Sequence, residues 1–176
     1  MELENLLFDS SHRTAEMAVI AIGDNPELFN KILNFAFNDN GKFAMRAARV
    51  IQMSAICYPE LVQPHLKNII QQMSGFKTAG LKRSFAKIIA EMTWDFDEEI
   101  LGILADTCFK WLNNSSEKIA LKIYSQDILY KISQLYPDLK HELISTLENQ
   151  LPHSSIAIRT RSRKMIKKLY KEVQEI

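Results

Sequence analysis

FAMRAARVIQMSAICYPELVQPHLKNIIQQM, residues Phe43 to Met73, decides how this chain folds. It recurs without a gap as LKIYSQDILYKISQLYPDLKHELISTLENQL, Leu121 to Leu151, so that Tyr58, Pro59 and Leu61 fall on Tyr136, Pro137 and Leu139. Each copy reads as an amphipathic helix, a turn marked by proline and a second amphipathic helix. In the first copy Met45, Val50, Ile51 and Ala55, then Leu61, Leu66, Ile69, Ile70 and Met73, follow the three- and four-residue steps of a helix with one buried face. A pair of this kind cannot cover its own apolar side and has to stack on further copies of itself.

Working outward, the same pattern accounts for the whole chain. Helices are expected over about Glu2–Phe8, Arg13–Ile22 and Pro26–Phe37, over 42–57, from Pro59 to Met73, and through Leu81, Phe85, Ile88 and Met92. Further helices are expected from Asp97 through Leu112, over Glu117–Leu135, from Pro137 to Gln150 and over Ile156–Val173. Pro26 and Pro59 start helices, where a missing N–H costs nothing, and Pro64 lies early enough in its helix to be tolerated. On the third helix Leu28, Ile32, Phe35 and Phe37 are taken as the apolar face. The expected fold is all-α, with about ten helices in five pairs. The turns holding Pro26, Pro59, Asp97 and Pro137 are spaced by 33, 38 and 40 residues, the range of two-helix repeats. One domain, 1–176, is expected, with repeats at about 1–24, 25–58, 59–95, 96–136 and 137–176.

Composition agrees with helix. The chain has 47% apolar and 24% charged residues, and five Gly with five Pro leave little material for hairpins. The net charge of +1 is unevenly placed, because the segment from His153 onward holds seven Lys/Arg against two Glu. Cys57 and Cys108 lie inside apolar helical patterns without CxxC spacing, so both are expected to be buried, reduced thiols in a cytoplasmic protein. The opening MELENLLFDSS is acidic where a signal peptide is basic, and the aliphatic run Met17–Ile22 is too short to span a bilayer, so no membrane association is expected.

PELFNKILNFAFNDNGKFAMRAARVIQMSA resembles the HEAT-repeat pattern: a proline-started first helix, a turn with Asp, then a second helix opening with an aliphatic, a basic and several small residues. The resemblance implies a right-handed HEAT-like, armadillo-like α-solenoid whose second helices line the inner face. Those helices open with His12-Arg13, Met45-Arg46, Leu81-Lys82, Leu121-Lys122 and Ile158-Arg159. The resemblance implies pairing of turn carboxylates with these basic residues, Asp9 with Arg13 and Asp39 with Arg46, while Lys82, Lys122 and Arg159 lack such an acid. Two readings follow. The five bases are structural or solvated charges, or the later three join Arg83, Lys87, Arg161, Arg163, Lys164, Lys167 and Lys168 in an anion-binding edge. The candidate binding residues are therefore Arg13, Arg46, Lys82, Arg83, Lys122, Arg159, Arg161, Arg163 and Lys167.

No constellation for catalysis stands out. His12, His65, His141 and His153 are dispersed, and His141-Glu142 lacks a second histidine four residues on, so neither a metal nor a cofactor is implied. GFKTAGLKRS, Gly75–Ser84, has Leu81 where a phosphate-binding loop needs Lys. Asp95, Asp97, Glu98 and Glu99 are explained by helix capping. The DNA alkylation repair glycosylases are similar as HEAT-like folds, and Trp94-Asp95 and Trp111 supply residue types they use, but by type alone, so no catalytic role is carried over. The leading expectation is a non-enzymatic scaffold that binds a protein or peptide on its inner face. Nucleic-acid binding through the basic edge is the alternative.

Overall fold

The computed structural model describes residues 3–174, and all regular structure among them is helical. The order is α1 (Leu3–Leu6), α2 (His12–Ile22), α3 (Pro26–Phe37), α4 (Gly41–Cys57), α5 (Pro59–Val62), α6 (Leu66–Met73), α7 (Ala79–Glu91), α8 (Glu98–Asn113), α9 (Ile119–Leu135), α10 (Leu139–Gln150) and α11 (Ile156–Gln174). The helix ends follow from local chemistry. Ser11 Oγ accepts the Thr14 N–H at 3.1 Å to start α2, and Asn25 Oδ1 accepts from the Glu27 and Leu28 N–H groups to start α3. Gly23, at φ 52°, ends α2 in a conformation that suits a residue without Cβ.

The repeat seen in the sequence recurs in the backbone hydrogen bonds. Tyr58 N–H donates to Ser54 O at 2.7 Å and Tyr136 N–H to Ile132 O at 3.0 Å; Leu61 N–H then donates to Tyr58 O and Leu139 N–H to Tyr136 O, both at 3.0 Å. Each tyrosine precedes a proline, which excludes it from the helical region and forces the chain to turn. The copies then diverge. Pro64 interrupts the helix after Pro59, so Gln63–His65 forms a single 3₁₀ turn between α5 and α6, because a proline five residues into a helix has no N–H to give. α10 has no such proline and runs unbroken, although it starts at Leu139 and not at Pro137.

The chain forms two compact units, Met1–Ile100 and Leu101–Ile176. In the first, α4 packs on α3 behind it and lies between α2 and α7. Its buried side is made of small residues, Ala44, Ala47, Ala48 and Ser54, with Val50 and Ile51, which lets neighbouring helices approach closely. At the approach of α7, a Cβ on Gly80 would lie 2.5 Å from Met45 Cγ, so glycine is the residue that fits. The face α3 buries is Phe29, Ile32, Leu33 and Ala36, rotated from the expected one; Leu28, Phe35 and Phe37 are half-buried. Phe37 still closes a ring cluster with Phe76 and Phe85 at centroid distances of 5.3 to 6.1 Å.

Polar links between successive turns set the register. Arg46 Nη1 donates to Leu7 O and Phe8 O at 2.9 and 2.8 Å, and Arg49 Nη1 to Ser10 O at 3.0 Å, so α4 grips the turn before α2. One turn further on, Asp39, at φ 46°, accepts the N–H groups of Lys77 and Thr78 and caps the start of α7. Burial pushes the Asp39 carboxyl up, and those donors outweigh it, leaving its pKa below the usual value. The expected pairing of Asp39 with Arg46 is thus corrected: a rigid turn offers backbone groups, and both side chains use them. The same device closes the unit, where Asp97 accepts from Ile100 N–H at 3.0 Å and from Lys67 Nζ at 3.0 Å.

In the second unit α9, α10 and α11 pack on one another, and Leu104, Cys108 and Leu112 of α8 are fully buried. Gln126 Nε2 donates to Ser162 Oγ at 3.0 Å inside the core. Lys140 is buried, 6% exposed, a charge that its sequence does not mark as interior. Its Nζ lies 3.1 Å from Glu172 Oε2, and Glu172 also accepts from Tyr130 Oη at 2.6 Å and Gln134 Nε2 at 3.1 Å. Burial pushes the Glu172 carboxyl up, and the three donors outweigh it, holding it at about 2. Of the cysteines only Cys108 is buried. Cys57, at the exposed end of α4, corrects the expectation for it.

Two outcomes follow, read by urea unfolding of variants keeping Trp94 for the first unit or Trp111 for the second. Asp39→Ala destabilises the first unit by about 2 kcal/mol, from a lost cap and a left-handed residue without glycine's freedom, and Asp39→Gly by about half that. A carboxyl with a depressed folded pKa stabilises above its unfolded value of 4.5, and that stability is lost as pH falls toward about 2. The second unit therefore loses on the order of 2 kcal/mol between about pH 5 and pH 2. Glu172→Gln is weakened at neutral pH instead, and shows a flatter profile over that window.

Candidate functional site

The basic residues expected to share an edge have different neighbours. In the first unit Arg13 and Arg83 are exposed, Lys82 is half-buried and partnered, and Arg46 is spent on the carbonyls before α2. In the second unit Arg159 donates to Leu151 O and Ser154 O at 3.1 and 3.0 Å and pins the turn into α11. Arg161 pairs with Asp127, and Lys168 lies 4.1 Å from the centre of the Tyr130 ring. Lys122 is half-buried, and burial lowers its pKa. What remains open on α11 is Arg163, Lys164, Lys167 and Lys171, exposed and at helical spacing along one side.

A second surface emerges on the first unit. α4 packs against α3, α2 and α7, and residues of α2 and α4 that lie outside the core are exposed. Large apolar residues stand there where charge is the rule: Met17 and Ile20 on α2 are 58% and 76% exposed, and Ile56 on α4 is 67% exposed. Between α4 and α7 runs a groove of about 200 Å³, lined by Gln52, Ala55, Ile56, Ile88, Glu91 and Met92. Its polar edge is the Lys87–Glu91 pair at 3.8 Å. Sequence reasoning missed these positions because it assigned aliphatic residues to the core. The signal was present in phase, since Met17 and Ile20 lie off the stripe of Ala15, Ala18, Val19 and Ile22.

The arrangement offers little to chemistry. Among the described residues no group of three His, Cys, Asp or Glu could hold a metal ion. Burial lowers the His65 pKa, and its ring rests on Phe29 at 5.3 Å. Burial pushes the Cys108 thiol far up, away from the reactive thiolate. Trp94 donates from Nε1 to Ile89 O at 2.7 Å and stacks on Phe96, and Trp111 is buried in the second unit, so both tryptophans are committed to structure. Asp97, the acid with the most contacts in the group around it, is occupied as a cap and ion-pair partner. No helix of the described residues is long and apolar enough to cross a membrane.

No curated protein and no solved structure matches the chain. A family model, described as a HEAT repeat domain, matches residues 4–169, a span that takes in both copies of the founding repeat and the turns that link them. The chain belongs to the HEAT repeat domain family.

Proposed function

We propose that this chain is a non-enzymatic binding module that takes a peptide segment of a protein partner along the solvent faces of α2, α4 and α7. The supporting observations are the exposure of Ile56 in a groove it shares with Ile88 and Met92, and the exposure of Met17 and Ile20 on α2, which packs on α4. Exposed aliphatics on neighbouring helices are a poor surface for a solvated face and a good one for an amphipathic partner, whose apolar side chains enter while its polar rim meets Gln52, Lys87 and Glu91. Cys57 and Cys108 are both unpaired, which suits a reducing cytoplasmic setting.

A second reading rests on a different observation, the exposed row Arg163, Lys164, Lys167 and Lys171 on α11. Like charges three and four residues apart repel by about 0.2 to 0.5 kcal/mol per pair, a cost that phosphates of a nucleic acid would offset.

Peptides selected from a random library against the whole chain separate the two. Ile20→Asp and Ile56→Asp, both at exposed positions, leave the fold intact and weaken selected peptides at least tenfold, since each lost apolar contact is worth about 1.5 to 3 kcal/mol. Peptides that ignore these changes but are lost on charge reversal at Arg163 and Lys167, together with salt-sensitive DNA or RNA binding, would overturn the peptide reading in favour of the second.

A further inference from the structure

We infer that the second unit carries a site for a small amphipathic anion, a carboxylate or phosphate on an apolar body, with Lys122 at its polar end and Leu112, Ile119 and Ile158 as its apolar wall. This site is separate from the peptide surface, and neither depends on the other.

The cavity measures about 450 Å³, inside the range of roughly 300 to 1,000 Å³ for small-molecule sites. It lies where the end of α8, the loop into α9, the end of α10 and the turn into α11 meet. Its mouth is already built. Gln150 Nε2 donates to Asn113 Oδ1 at 2.9 Å between the ends of α10 and α8, and in the loop into α9 Asn114 Oδ1 accepts from the Ser116 N–H and hydroxyl at 3.0 and 2.8 Å. Arg159 holds the other rim through the carbonyls of Leu151 and Ser154. A pre-shaped mouth spares a ligand the entropy of ordering loops.

The lining holds both polar and apolar residues. Ile119 is 45% exposed in the first turn of α9, where it leaves the core unserved and faces the cavity beside buried Leu112 and Ile158. The same lining carries Lys122, one turn along α9 from Ile119, with His153 and Ser155. Among the described residues the Lys122 side chain gives no hydrogen bond, and Glu117 is the acid at Coulombic range of it. Glu117 also lines the cavity but is itself engaged within the chain, which leaves the Lys122 ammonium without a hydrogen-bonded counter-ion. Burial disfavours the Lys122 ammonium, and an anion beside it would reverse that. The first turns of α9 and α11, helices of 17 and 19 residues, open toward the same space and add positive dipole ends.

Phenyl phosphate, benzoate, inorganic phosphate and benzyl alcohol are titrated into the full-length, isotope-labelled protein, and backbone amide shifts are followed. Phenyl phosphate or benzoate is expected to give saturable shifts confined to residues 113–122 and 150–158. The stronger of the two identifies the head group. Lys122→Met, which keeps the apolar stem, weakens binding at least tenfold, while Lys31→Met, at an exposed position on α3 of the first unit, leaves it unchanged. The inference is overturned if neither aromatic anion shifts those amides saturably in protein that remains folded, or if Lys122→Met binds as tightly as the parent. It is overturned equally if inorganic phosphate matches phenyl phosphate, which would remove the apolar wall from the site, or if benzyl alcohol does, which would remove the cation.

Discussion

The whole structure depends on turns that bond to turns. A helix pair with one apolar side gains most of its stability by leaning on the next pair, and hydrophobic contact alone is non-directional, so it does not say at which height the pairs should lean. In the first unit that height is set by charged side chains reaching to backbone: Arg46 and Arg49 take the carbonyls before α2, and Asp39 takes the N–H groups before α7. Charge-assisted bonds of this kind, directed at groups that a helix end leaves unpaired, are worth more than the same charges paired on a surface. They also explain why Asp39 and Arg46, on neighbouring turns, bond to backbone and not to one another.

The second unit solves the same problem with a buried charge. Lys140 is buried where Glu172 comes to it, and Glu172 is tolerated there because Tyr130 and Gln134 share it. Breaking such a set leaves an uncompensated charge, so it fixes the position of α11 against α9 and α10 more sharply than an apolar contact would. The consequence for function is that much of the basic charge on α11 is structural in origin: Arg159 and Arg161 are tied down, and only the row from Arg163 to Lys171 is left to meet a partner.

Much of this was legible in the residues. The helix order, the proline turns and the tyrosines that end α4 and α9 follow from local rules, which do not depend on what packs where. The sequence was silent wherever a distant partner decides. On α3 the run LFNKILNFAF is apolar on too many sides for its phase to be read, and the contact with α4 chose Phe29 and Leu33 over Leu28 and Phe35. Lys140 looks like any surface lysine until Glu172 is seen beside it. Cys57 has the same apolar neighbours in sequence as a core residue, yet it falls at the exposed end of its helix. The candidate surfaces were harder still, since an exposed Ile20 and a buried Ile22 are the same letter, and only the packing of α2 on α4 tells them apart.

Amide hydrogen exchange at Lys77 and Thr78 tests this picture most directly. Both residues precede α7 in a loop, and neither N–H would be protected by secondary structure of its own. If Asp39 holds them across the turns, they exchange as slowly as amides inside the neighbouring helices. Exchange at the rate of an unstructured peptide, with the helices themselves protected, would show that the turns are not bonded and that packing alone sets the register.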